Sequence, residues 1–63
     1  MNRYRHFKGK VYEKILEAEH SETGENMIVY KDDAGKIYVR PSSMFYDKVE
    51  VNGNQVDRYK KME

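Results

Sequence analysis

Ile37-Tyr38-Val39-Arg40-Pro41-Ser42-Ser43-Met44-Phe45 decides how this chain is read. An alternating strand runs into a proline and then into one short helical turn that carries two large apolar side chains. Proline cannot donate to a sheet ladder and pushes the residue before it toward extended geometry, so Pro41 ends the strand. Ser42 or Ser43 is then placed to cap the turn, and Met44 and Phe45 to plug one end of a β core.

Working back from that stretch, Met27-Ile28-Val29-Tyr30-Lys31 pairs with Lys36-Ile37-Tyr38-Val39-Arg40 as a hairpin. A four-residue loop sets Lys31 opposite Lys36. A three-residue loop Asp33-Ala34-Gly35 instead puts Gly35 in the left-handed region and Asp32 opposite Lys36, and it is preferred. It stacks Val29 on Val39 near Ile37 and Met27 on one face, and sets Tyr30 beside Tyr38 near Ile28 and Arg40 on the other. Working forward, Asn52-Gly53 supplies the two positive-φ residues of a type I′ turn. Val49 then faces Val56, Glu50 faces Gln55, Val51 faces Asn54 and Lys48 faces Asp57.

Residues Val11 to His20 are ambiguous. Apolar side chains at 11, 12, 15, 16 and 18 cover one helical face and the composition favours helix. A helix this short is marginal unless packed, and the flanking Gly9 and Ser21-Glu22-Thr23-Gly24 also suit a strand in a β meander.

The chain of 63 residues has no cysteine, and its net charge is +1. A domain near this size buries only about 60% of the surface its unfolded chain exposes, which leaves a thin stability margin and no room for a deep enclosed active site. Lack of cysteine removes disulfides and thiolate metal sites and suits a reducing compartment, so the expected location is cytoplasmic. No apolar run approaches the ~20 residues of a membrane span, and the N-terminal segment lacks the apolar core of a signal peptide. Charge is uneven: residues 1 to 14 are mostly basic and 15 to 34 mostly acidic, a polarity that suits intramolecular pairs on a solvated surface.

Tyr4-Arg5-His6-Phe7-Lys8-Gly9, His20-Ser21-Glu22-Thr23, Val29-Tyr30 and Val39-Arg40-Pro41 with Met44-Phe45 together resemble a bacterial family of short proteins catalogued as domain of unknown function sixteen fifty-three, over roughly residues 4 to 59. The resemblance implies a small SH3-like barrel and makes residues 11 to 20 its first long strand. It implies no activity, so function rests on the residues themselves.

No catalytic constellation stands out. His20-Ser21-Glu22 has the His-x-Glu spacing of zinc deaminases without their cysteine ligands, and a site joining His6, His20 and Glu22 needs both ends of the first long strand to converge. A turn at 20 to 24, organised by Ser21 and Thr23 with His20 packed beside it, is the simpler reading. Ser42 and Ser43 lack the base and oxyanion site of a nucleophile. The four glycines are isolated, so there is no phosphate loop, and no metal or cofactor is expected.

Binding features are clearer. Arg3-Tyr4-Arg5-His6-Phe7-Lys8-Gly9-Lys10 mixes cations, which contact phosphates, with aromatic faces, which stack on bases; Arg5, Lys8 and Lys10 are its candidate nucleic-acid contacts. The structural alternative has Tyr4 and Phe7 anchoring an N-terminal turn on the barrel. Arg40 either pairs with Glu22 or Glu25 or presents its planar fork to an anion. The sequence therefore reads as one mostly β domain, 1–63, with residues 60–63 free to fray. Its fold is a small SH3-like barrel of about five strands with a 3₁₀ or helical turn near Ser42 to Phe45. The expected core is Val11, Ile15, Val29, Ile37, Val39, Phe45, Val49 and Val56. The expected function is a non-catalytic binding module in which His6, Phe7, His20, Tyr30, Tyr38 and Arg40 hold a peptide, a nucleic acid or a small anion. The alternative is a structural or assembly domain with no ligand of its own.

Overall fold

The computed structural model describes residues 2 to 62. The chain is mostly β: β1 (Arg3–His6), β2 (Val11–Glu19), β3 (Asn26–Asp32), β4 (Ile37–Pro41), the single helical turn α1 (Ser42–Phe45), β5 (Lys48–Val51), β6 (Asn54–Asp57) and β7 (Tyr59–Lys61). One antiparallel sheet has the order β4-β3-β2-β1-β7, and β5 and β6 form a second, two-stranded sheet. The arrangement is consistent with a small β-barrel-like fold. No helix among the described residues is long and apolar enough to cross a membrane.

Both predicted hairpin registers are present. Val29 pairs with Val39 and Tyr30 with Tyr38, and Gly35 has φ 88° in a loop where the Asp32 N–H donates to the Lys36 carbonyl at 3.0 Å. Asn52 and Gly53 have φ of 52° and 81°, and Val49 pairs with Val56. Residues 11 to 19 are a strand, so pairing with β1 and β3 outweighs local helical propensity. A bulge between Lys14 and Leu16 absorbs Ile15 and turns Leu16 and Ala18 to the face opposite Tyr12 and Lys14.

Among the described residues there are seven strands rather than about five, because two short terminal segments pair with each other: Tyr4 with Lys61, Arg5 with Lys60 and His6 with Tyr59. The tail expected to fray beyond Tyr59 is thus β7 through Lys61, and the Met62 N–H donates to the Arg3 carbonyl; Glu63 lies outside the described residues. Tyr4 is buried as a strand residue, whereas Phe7 is 38% exposed and anchors nothing in the core. Serine capping of α1 is not observed. Pro41 itself occupies the N-cap position, which makes Ser42 the first helical residue, and no side chain caps the turn.

The core lies on the other face of the β3–β4 hairpin from the one expected. Tyr4, Ile28, Tyr30, Phe45 and Tyr59 are buried. Of the expected core residues only Phe45 is fully buried: Val11, Val29 and Val49 are half-buried, and Ile15, Ile37, Val39 and Val56 are exposed. Met44 is exposed as well, so Phe45 alone forms the plug. The aromatic face prevails because rings bury more area than valines and their hydroxyls find partners. Tyr30 and Tyr59 share a hydrogen bond at 3.2 Å, and the Tyr38 hydroxyl donates to Asp32 Oδ2 at 3.2 Å.

Candidate functional site

Asp32 anchors one end of the tyrosine face. Its Oδ1 accepts the N–H groups of Lys36 at 2.9 Å and Ala34 at 3.0 Å. The Lys36 N–H above all, with Tyr38, Ala34 and Lys10, holds this carboxyl below its usual range despite burial. Arg40 closes the other end. It pairs with neither Glu22 nor Glu25: its Nε donates to Tyr30 Oη at 3.3 Å and its guanidinium lies 5.6 Å from the centre of the Tyr59 ring. Burial, then the Tyr30 hydrogen bond, pushes the Tyr59 hydroxyl well above its ordinary value. Tyr30, Tyr38 and Arg40 come together as expected, but as a packed aromatic layer whose polar groups engage one another.

His20 stands apart from them. The nine-residue strand β2 runs between the ends that hold His6 and His20, on the order of 30 Å at the rise of an extended strand. His20 Nδ1 accepts the N–H groups of Glu22 and Thr23 at 3.2 and 3.3 Å, and Thr23 Oγ1 accepts that of Glu25 at 3.2 Å. The turn reading is right with a change of organiser: His20, not Ser21, holds the loop. Among the described residues no group of three or more His, Asp or Glu side chains is placed to hold a metal ion.

The N-terminal basic and aromatic segment opens on a different feature. A cleft of about 510 Å³ separates β1 and β7 from the β5–β6 hairpin, with Arg5, His6, Phe7, Gly9 and Lys60 on one wall and Lys48, Val51, Gln55, Val56 and Asp57 on the other. Its geometry depends on Asp47 and Arg58, which flank the hairpin. Arg58 Nε donates to Asp47 Oδ1 at 2.7 Å and a terminal nitrogen to Oδ2 at 3.2 Å. The fork clamps the hairpin base, while the Arg58 carbonyl accepts the Phe7 N–H at 2.9 Å.

Arg5 and Lys60 are directly opposite in the β1–β7 register, so their side chains leave the same face side by side. Neither forms an ion pair among the described residues, whereas Lys48 on the far wall is taken by Asp57 at 2.6 Å. Like charges opposite one another destabilise a sheet, and an anion between them reverses the sign. His6 adds no competing positive charge. Burial first, then Arg40, Arg58 and Lys8, pushes its imidazole below the usual range, and its Nδ1 accepts the Lys8 N–H at 3.2 Å. Its ring lies 4.6 Å from that of Phe7, and Lys8 Nζ sits 5.9 Å from the Phe7 ring centre. Lys10 turns away, toward Asp32 at 3.7 Å and the Tyr12 ring.

Sequence reasoning named Arg5, His6 and Phe7, which line the cleft, and Lys8, which lies beside it over the Phe7 ring, but it assigned them to other surfaces and foresaw no cleft. It missed Lys60, Val51 and Val56, whose approach depends on the pairing of the two chain ends and on the Asp47–Arg58 clamp; the Val49–Val56 alternation was the available signal, read as core. No curated protein and no solved structure matches the chain. A family model does, across residues 2–61, and the chain belongs to that family, described as protein of unknown function (DUF1653).

Proposed function

We propose that this domain is a non-catalytic binding module holding a small organic anion, a phosphate or carboxylate on an apolar or aromatic body, in the cleft between β1/β7 and the β5–β6 hairpin. The observation that carries the reading is the cross-strand Arg5–Lys60 pair, two cations side by side with no carboxylate partner among the described residues, beside the apolar Phe7, Val51 and Val56. The volume suits a small-molecule site. A long nucleic acid fits less well: with Lys10 drawn to Asp32 and Lys8 over Phe7, the cations form one focus and not a phosphate track.

The test is a chemical-shift titration of the labelled protein with nucleoside monophosphates, aryl carboxylates, inorganic phosphate and a single-stranded oligonucleotide. The expected result is saturable shifts at Arg5, His6, Phe7 and Lys60 with an aromatic anion, weakened about tenfold by Arg5→Gln or Lys60→Gln. Shifts elsewhere, or none with any probe, reject the reading. The second reading, an assembly domain, draws on the exposed aliphatic face of β2, β3 and β4, where Leu16, Ile37 and Val39 meet solvent.

A further inference from the structure

Strand β4 is a free edge of the five-stranded sheet, at the other end of the strand order from β7; Arg40 nonetheless reaches the Tyr59 ring of β7, while Ile37 and Val39 face solvent. The Asp32 N–H bond to the Lys36 carbonyl makes these two a hydrogen-bonded pair. By the alternation of an antiparallel ladder, Tyr30–Tyr38 and Ile28–Arg40 are hydrogen-bonded too, while Lys31–Ile37, Val29–Val39 and Met27–Pro41 are not. The backbone N–H and C=O groups of Ile37 and Val39 therefore point outward, along an edge that no strand pairs with. Pro41 takes the next outward position, where its missing N–H removes no ladder bond and closes that end of the edge.

The edge offers apolar surface on one face and, among the described residues, cations without carboxylate partners on the other. On the outer face Ile37 and Val39 are 62% and 61% exposed, and Val39 ends an aliphatic row that runs Leu16, Val29, Val39 across three strands. On the inner face Lys36 and Arg40 flank Tyr38. The Lys36 ammonium lies 5.5 Å from the Tyr38 ring centre, Arg40 gives its Nε to Tyr30, and neither cation forms an ion pair among the described residues.

We infer that β4 is a docking edge for an extended peptide strand that alternates aliphatic and acidic residues. The added backbone takes up the outward groups of Ile37 and Val39; its aliphatic side chains extend the outer row; its carboxylates, projecting to the other face, meet Lys36 and Arg40. A second copy of β4 is a poorer occupant. Antiparallel self-pairing centred on Tyr38 sets Lys36 of one copy opposite Arg40 of the other.

The experiment titrates labelled protein with a short peptide of alternating valine and glutamate and, separately, with its valine and lysine counterpart. The acidic peptide is expected to shift the amides of residues 37 to 40 and leave Arg5 and Lys60 unmoved, with the basic peptide binding at least about tenfold more weakly. Lys36→Glu should reverse that preference, and Val39→Lys, at an exposed position that leaves the fold intact, should weaken the acidic peptide. Equal binding of the two peptides, no shift at 37 to 40, or indifference to both variants overturns the inference. Concentration-dependent shifts at Ile37 and Val39 in the absence of peptide also overturn it, in favour of a second copy.

Discussion

The rings of Phe45 and Tyr59 lie face to face, centroids 4.3 Å apart and planes inclined by 3°, so that the single helical turn is held by the last strand of the chain. Tyr4 and Tyr30 meet Phe45 in T-shaped contacts at 5.1 and 5.3 Å, which completes an aromatic core around a side chain with no exposed surface. Truncating Phe45 to alanine should cost about 3 to 5 kcal/mol, a large part of the total stability of so small a domain. Met44→Ala, at an exposed position, should stay within about 0.5 kcal/mol. Urea melts of the two variants decide the matter, and equal losses would refute the plug.

The Asn52-Gly53 turn makes a second prediction. Gly53 has φ 81° and open space where a Cβ would stand, so the barrier to substitution there is backbone strain alone. Gly53→Val should cost about 1 to 2 kcal/mol and exceed Asn54→Val, because Asn54 lies in ordinary strand geometry opposite Val51. Comparable losses in a denaturant melt would contradict the turn.

Registers were legible in the sequence and faces were not. Asn52-Gly53 and Asp32 with Gly35 are local chemistry, and each sets its hairpin within a few residues. Which face of β3 and β4 turns inward is a tertiary choice between valines and tyrosines. It is settled by Phe45, by Tyr59 and by hydroxyl partners that lie far along the chain. The site divides in the same way: the run of cations and aromatics at residues 5 to 8 marks one wall, while Lys60 and the hairpin wall depend on a pairing of chain ends that their own residues do not announce. In sequence His20 reads as packing beside a turn held by Ser21 and Thr23, and its ring nitrogen is itself the acceptor that closes that turn.

His6 carries a pH prediction. Its folded-state pKa is lowered, by burial first and then by Arg40, Arg58 and Lys8. Below the unfolded value of about 6.5 the unfolded chain binds a proton that the folded protein resists. Stability from this residue is therefore full above that pH, falls as pH drops through the folded-state pKa, and is level below it. Thermal melts from neutral pH downward should show the decline in the parent protein and a shallower one in His6→Gln. An identical pH dependence in both would remove His6 as its source.

Arg5 and Lys60 make the last prediction, in which stability and binding move in opposite directions. The two cations oppose one another across β1 and β7 with no carboxylate between them among the described residues. Lys60→Glu turns a like-charge cross-strand pair into an opposite-charge one, and should raise stability by about 0.2 to 1 kcal/mol, more at low salt than at high. The same change places a carboxylate where the ligand's anion belongs, so the shifts at Arg5, His6 and Phe7 induced by a nucleoside monophosphate should disappear. A site kept for structure alone predicts the first effect without any ligand to lose. A variant that is no more stable than the parent would show that the pair is not repulsive, and one that still binds the anion would show that the cleft grips it through other groups.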